Sequence, residues 1–209
     1  MTIRNLDGFF APGSIAIIGP CRHPGVLTSK LISCLQDIEA GHPVTLVGID
    51  EDVPFKGRKV ARLADLEKMP DLAIYLAKAE ALPETIRILA AGGTKAVLIP
   101  SPGFETWPEE LLQECREAAQ ATNLRLIGPG TLGLAVPARG LNALLSAERP
   151  EKGEVAFFAR SGAVLKALEF ALRLGQMGGN RQARASRRFK HALRARVGCM
   201  RRAAQLHSV

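Results

Sequence analysis

The stretch Ser14-Ile15-Ala16-Ile17-Ile18-Gly19-Pro20-Cys21-Arg22-His23-Pro24-Gly25 decides the fold of this chain. Its first five residues make an apolar run that stops at a Gly/Pro cluster, as a parallel strand buried on both faces does. A helical stretch over about residues 28–40 follows, with Leu31, Ile32, Leu35 and Ile38 on one stripe. Strand, glycine turn and helix together open a crossover unit of an α/β sheet.

Working outward, the alternation repeats. Residues 44–49, 72–76, 96–99 and 124–127 read as the second to fifth strands. A short helix is expected near residues 63–68, and another over about residues 82–91 closed by Gly92-Gly93. Pro108 opens a helix to about residue 122, with Glu109 and Glu110 in the first turn, where they favour the helix dipole. This order predicts an α/β fold with a Rossmann-like, doubly wound parallel sheet over residues 1–136. Residues 128–152, rich in Gly, Pro and Ala, read as loop and interdomain connection, with the connector proper at 137–152. A strand at 154–158, a turn at Arg160-Ser161-Gly162 and a helix over 163–174 then begin a second, incomplete unit at 153–178. Left unpaired, that strand would expose a sheet edge.

The 209 residues carry 28 Lys and Arg against 20 Asp and Glu, a formal net charge of +8. Nine of the bases (Arg181, Arg184, Arg187, Arg188, Lys190, Arg194, Arg196, Arg201 and Arg202) lie beyond residue 179, and no acid does. The body therefore holds 19 bases and 20 acids, so the net charge belongs to the tail. The body gives no sign of a specific nucleic-acid surface. No apolar run reaches the roughly 18–20 residues that span a bilayer, and the N-terminus lacks a signal-peptide pattern. Cys21, Cys34, Cys115 and Cys199 form no CxxC pair, which disfavours zinc or a disulfide framework and makes the cytoplasm the expected setting.

In an open parallel sheet, ligands bind beyond the carboxyl ends of the strands. The loop after the first strand offers glycines, a following helix N-terminus and Arg22, which suits a phosphorylated ligand. Later strand ends read Ser101-Pro102-Gly103-Phe104-Glu105 and Gly128-Pro129-Gly130-Thr131-Leu132-Gly133-Leu134. Gly140-Leu141-Asn142-Ala143 and Val155-Ala156-Phe157-Phe158-Ala159-Arg160-Ser161-Gly162-Ala163 complete the series.

In this order and spacing, the motifs resemble the CoA-binding domain and following domain of the NDP-forming acyl-CoA synthetases, relatives of the succinyl-CoA synthetase alpha subunit. The resemblance covers about residues 6–178. It implies a CoA or acyl-CoA cradle made by Gly19, Cys21, Arg22, Pro24 and Gly25, with Ser101 and Gly103 lining the cleft. It also implies a flavodoxin-like second domain whose phosphate-loop turn falls on Ser161, Gly162 and Ala163. The reaction implied is acyl-CoA, phosphate and NDP giving acid, CoA and NTP, through a phosphohistidine and an ATP-grasp partner. Departures from the family pattern include Pro20, Cys21 for Ser, Thr28 for Gly, Asp50-Glu51 for Asn-Pro, Lys78 for Pro, Gly130-Thr131 for Asn-Cys and Ala159-Arg160 for Ser-Gln. None of His23, His42, His191 and His207 matches the phosphohistidine position, so no catalytic residue is assigned and no turnover is expected from this chain alone.

Residues 179–209 carry two readings. Phe189, Leu193, Val197, Met200 and Ala204 fit the stripe of a basic amphipathic helix that could bind nucleic acid or acidic lipid. The favoured reading is translation in a shifted frame from near Gly178, which accounts for both the basic tail and the missing half-domain. Other functional classes are a CoA-sensing module of a protein acetyltransferase and, more remotely, a dinucleotide-binding domain with Asp50 facing a ribose.

Overall fold

The computed structural model describes residues 6–19, 26–36, 42–49, 53–100, 107–145, 150–153 and 156–159, together with Val164 and Ala167. The chain divides into two compact units, Met1–Ala156 and Phe157–Val209.

The first unit is built on a parallel sheet. Strands β1 (Ile15–Ile18), β2 (Val44–Val47), β3 (Arg58–Val60), β4 (Leu72–Tyr75), β5 (Ala96–Pro100) and β6 (Arg125–Thr131) lie in the order β3-β2-β1-β4-β5-β6. Ile15 stands opposite Val44 on one side and Leu72 on the other. Strand order therefore reverses between β1 and β4, the doubly wound arrangement expected from the sequence.

Alternation along each strand sorts side chains onto two faces. Ile15, Ile17, Leu46, Leu72, Ile74, Ala96 and Leu98 point one way. Ala16, Ile18, Val47, Ala73, Tyr75, Val97 and Ile99 point the other. On the first face pack Phe9 from the short helix α1 (Asp7–Phe10) and Leu31, Ile32 and Leu35 from α2 (Val26–Gln36). On the second pack Leu82, Ile86 and Leu89 from α3 (Leu82–Ala91) and Cys115 and Ala119 from α4 (Glu109–Gln120). Pro83 sits in the first turn of α3, and Gly93 follows its end at φ +85°.

The segment beyond β6 departs from the loop expected over residues 128–152. Joining α1 and α2 on the first face is a two-stranded antiparallel ribbon, β7 (Gly133–Val136) and β8 (Leu141–Leu144), with Ala135 opposite Asn142. Leu141, Ala143 and Leu145 are buried in the same cluster as α2, and Leu134 and Val136 pack against it. Glycine content misleads in this stretch because the glycines serve the ribbon. Gly133 has φ +112°, where a Cβ would collide with the Ala143 carbonyl, and Gly140 closes the turn at φ +71°. β6 likewise runs on to Thr131, past the expected end at 127, through a register shift that sets Thr131 opposite Pro100.

Two smaller differences have local causes. Residues 63–68 hold only a 3-10 turn, Leu63–Asp65, closed by the Arg62 amide donating to the Asp65 carboxylate at 3.0 Å. β3 was not expected, since Arg-Lys-Val is short and charged, as edge strands often are.

Across the division between the units, the expected strand at 154–158 is absent from its described part. Residues 156–159 belong to neither sheet, and Phe158 is 77% exposed. Val164 and Ala167 are helical, as expected, while the rest of 163–174 and all of the basic tail lie outside the described residues.

Candidate functional site

The carboxyl ends of β1, β2 and β4 meet at the point where strand order reverses. The Gly19 amide donates to the Val47 carbonyl at 3.1 Å, and the Leu76 amide donates to the Ile18 carbonyl at 2.7 Å. Gly48 turns away at φ +67° and donates to the Val60 carbonyl at 3.0 Å. The strand ends at the switch point are thus tied together by backbone bonds that link β1, β2, β3 and β4. A Cβ on Gly19 would stand 3.1 Å from the Leu76 Cβ, tighter than ordinary packing, so only glycine keeps those strand ends undisturbed.

The wall beyond β4 is fixed from below. Tyr75 is buried, and its hydroxyl donates to the Lys78 carbonyl at 2.6 Å. Burial pushes its phenol above the ordinary value, so it stays a neutral donor. This bond holds the turn that carries exposed Lys78 past the strand end, where its ammonium can meet an anion. Thr85 supports the same corner by donating to the Ala81 carbonyl at 2.7 Å.

Of the residues predicted to form the cradle, Gly19 lies at the carboxyl end of β1, at the switch point. Cys21, Arg22, Pro24 and Gly25, which link it to α2, lie outside the described residues. The same holds for Ser101 and Gly103 after β5, and for Ser161, Gly162 and Ala163. At the end of β6, Gly128 and Gly130 have φ +102° and +81°, and a Cβ on Gly128 would collide with the Ile99 carbonyl. Backbone therefore lies close to backbone at both β5 and β6.

Sequence reading alone missed Gly48 and Tyr75. The glycine could have been found from its place at the end of an apolar run. The tyrosine gives no local signal, because its partner lies three residues on, in a turn defined by the fold. Among the described residues, no group of three His, Cys, Asp or Glu is placed to hold a metal ion. No helix among them is long and apolar enough to cross a membrane. Cys115 is buried, and desolvation raises its thiol pKa, which disfavours the reactive thiolate.

Residues 13–137 match the family described as CoA binding domain. An ADP-forming acetate–CoA ligase of Methanocaldococcus jannaschii is 30% identical over 158 residues, 75% of this chain and 22% of that protein. The alpha subunit of ADP-forming acetate–CoA ligase I of Pyrococcus furiosus is 29% identical over 171 residues, 77% of this chain and 36% of the subunit. This chain thus spans between a fifth and two fifths of the length of these relatives. The solved structure of a dinucleotide-forming acetyl-coenzyme A synthetase 1 of Ca. Korarchaeum cryptofilum, in complex with phosphate and ADP, superposes with a TM-score of 0.71. At 23% identity, over 83% of this chain and 38% of that one, the likeness is one of fold.

Proposed function

This chain belongs to the CoA-binding domain family, and from that premise we propose that it is the CoA-holding portion of an NDP-forming acyl-CoA synthetase. The observation that carries the reading is the reversal of strand order between β1 and β4, with Gly19 at the carboxyl end of β1, inside the segment that matches the family. Two features support CoA as the ligand: glycine at the end of β1 lets a chain approach the backbone closely, and exposed Lys78 follows β4, where it is proposed to meet a phosphate. Cys21, Arg22, Pro24 and Gly25 are proposed to hold the phosphates from the loop, with Ser101 and Gly103 on the facing wall. Ser161, Gly162 and Ala163 are proposed as a second phosphate turn, for the phosphoryl group in transit.

CoA supplies the thiol that forms and releases the acyl thioester. This chain's own residues bind and orient that thiol's carrier, while nucleotide chemistry is proposed to come from an ATP-grasp partner. The four histidines match no carrier position in the family pattern, so the chain alone should not release acid from acetyl-CoA with phosphate and ADP.

Isothermal calorimetry on the full chain and on a version ending at Gly178 tests the reading. Both should bind CoA, with affinities within a few-fold of each other. The variant Gly19→Val should bind about tenfold more weakly, because its side chain must displace Leu76. CoA binding by the tailed form only, abolished by moderate salt, would instead mean nonspecific attraction of an anion to basic residues. Phosphate-dependent acid release by the isolated chain would overturn the assignment of catalysis to a partner.

A further inference from the structure

Lys78 is fixed at its backbone and open at its side chain. Its carbonyl accepts from the Tyr75 hydroxyl at 2.6 Å and from the Ala81 amide at 3.2 Å, where the 3-10 turn Ala79–Ala81 closes. Both lone pairs of that oxygen are therefore taken. The tether has a firm anchor, because Tyr75 is 1% exposed and packs in the cluster that holds α3 and α4. The Lys78 side chain, in contrast, is exposed and forms no ion pair among the described residues.

The register places this lysine. Tyr75 stands opposite Ile18, and a Cβ on Gly19 would meet the Leu76 Cβ at 3.1 Å. Two residues past Leu76, Lys78 leaves the sheet at its carboxyl end, beside the residue that opens the segment between β1 and α2. In an open α/β sheet, that loop and the helix start behind it hold the diphosphate of a nucleotide ligand. Pro20 has no amide N–H to offer there.

Resting on the CoA reading above, we propose that Lys78 is a cation for the CoA diphosphate and that Tyr75 is its positioning residue. A lysine on a fixed backbone has only its side-chain rotamers to order when an anion binds, whereas one on a loose turn must order the backbone as well. The buried hydroxyl thus acts on the ligand through the exposed ammonium.

Calorimetry on the full chain tests this with CoA and with 3′-dephospho-CoA, which keeps the diphosphate. Lys78→Met should weaken both about tenfold and flatten the salt dependence of binding, at an unchanged melting temperature. Lys78→Arg, which restores the charge, should recover most of the loss. Tyr75→Phe keeps the ring and removes the tether. It should weaken both ligands about threefold in the wild-type background and leave them within about 1.5-fold in the Lys78→Met background. Equal losses in the two backgrounds, or none in either, overturn the role of Tyr75. Lys78→Met, at an exposed position, keeps the test readable if Tyr75→Phe does not fold. Its unchanged affinity overturns the proposal, and so does a loss confined to CoA, which would move the lysine to the 3′-phosphate. A wild-type chain that binds neither ligand overturns the functional reading on which the proposal rests.

Discussion

Asp71 shows how one carboxylate ties the start of the fold together. It stands just before β4, where its Oδ1 lies 2.8 Å from the Lys95 ammonium and its Oδ2 accepts from the Gly13 amide at 2.8 Å. The Asp71 amide in turn donates to Ser14 Oγ at 3.1 Å. The Lys95 bond, aided by the Gly13 amide, lowers the carboxyl pKa below its ordinary 3.8. A lowered folded-state pKa contributes stability above the unfolded value, and that contribution fades as pH falls through the folded one. Asp71→Asn should therefore cost about 1 kcal/mol at pH 7, at the low end for a charged hydrogen bond because Lys95 is half exposed. Urea midpoints of the two proteins should differ at pH 7 and begin to converge only as pH falls below 3.8. A gap that persists unchanged at low pH would show that shape, and not charge, holds this corner. The same scale limits what the sequence tells about the site. Gly19 is legible as glycine after an apolar run, whereas Tyr75 takes its meaning from a neighbour that only the fold supplies.

Among the elements, β7 and β8 are the informative case. β1, β2, β4 and β5 announce themselves because a strand covered on both faces must be apolar throughout. The ribbon is covered differently on its two faces, so its Leu and Val residues are diluted by Gly, Ala and Pro and read as loop. β3 is hidden for a related reason, since two of its three residues are basic. The packing nonetheless makes the ribbon part of the core. Leu141 is 1% exposed, and Leu141→Ala should destabilise the first unit by about 2–5 kcal/mol, as for other large-to-small changes in a core. Denaturant unfolding followed by far-UV circular dichroism measures this. A loss below about 1 kcal/mol would show that the ribbon is merely draped on the sheet. Helix boundaries follow the same division: α3 runs over the predicted residues because Pro83 and Gly92-Gly93 mark it locally.

For the whole molecule, the doubly wound order puts β1 and β4 at the centre, each flanked by paired strands and roofed on both faces. Their amides should open only with global unfolding of the first unit, whereas those of β3 at the sheet edge should exchange through local opening. Hydrogen exchange read by mass spectrometry should therefore rank β1 and β4 slowest and β3 fastest among the six strands. Equal protection across the sheet would mean that it opens as one body. The switch point between the two slowest strands is thus a rigid base for anything bound at the strand ends.

The pairing of α2 with β8 also bears on how the chain is made. Leu31 and Leu35 leave the ribosome about a hundred residues before Leu141, Ala143 and Leu145, which complete their burial. Until the ribbon emerges, one side of the nascent sheet has an incomplete roof and presents aliphatic surface to the cell. Synthesis thus finishes this hydrophobic enclosure late, so a chain halted before residue 141 would be sticky.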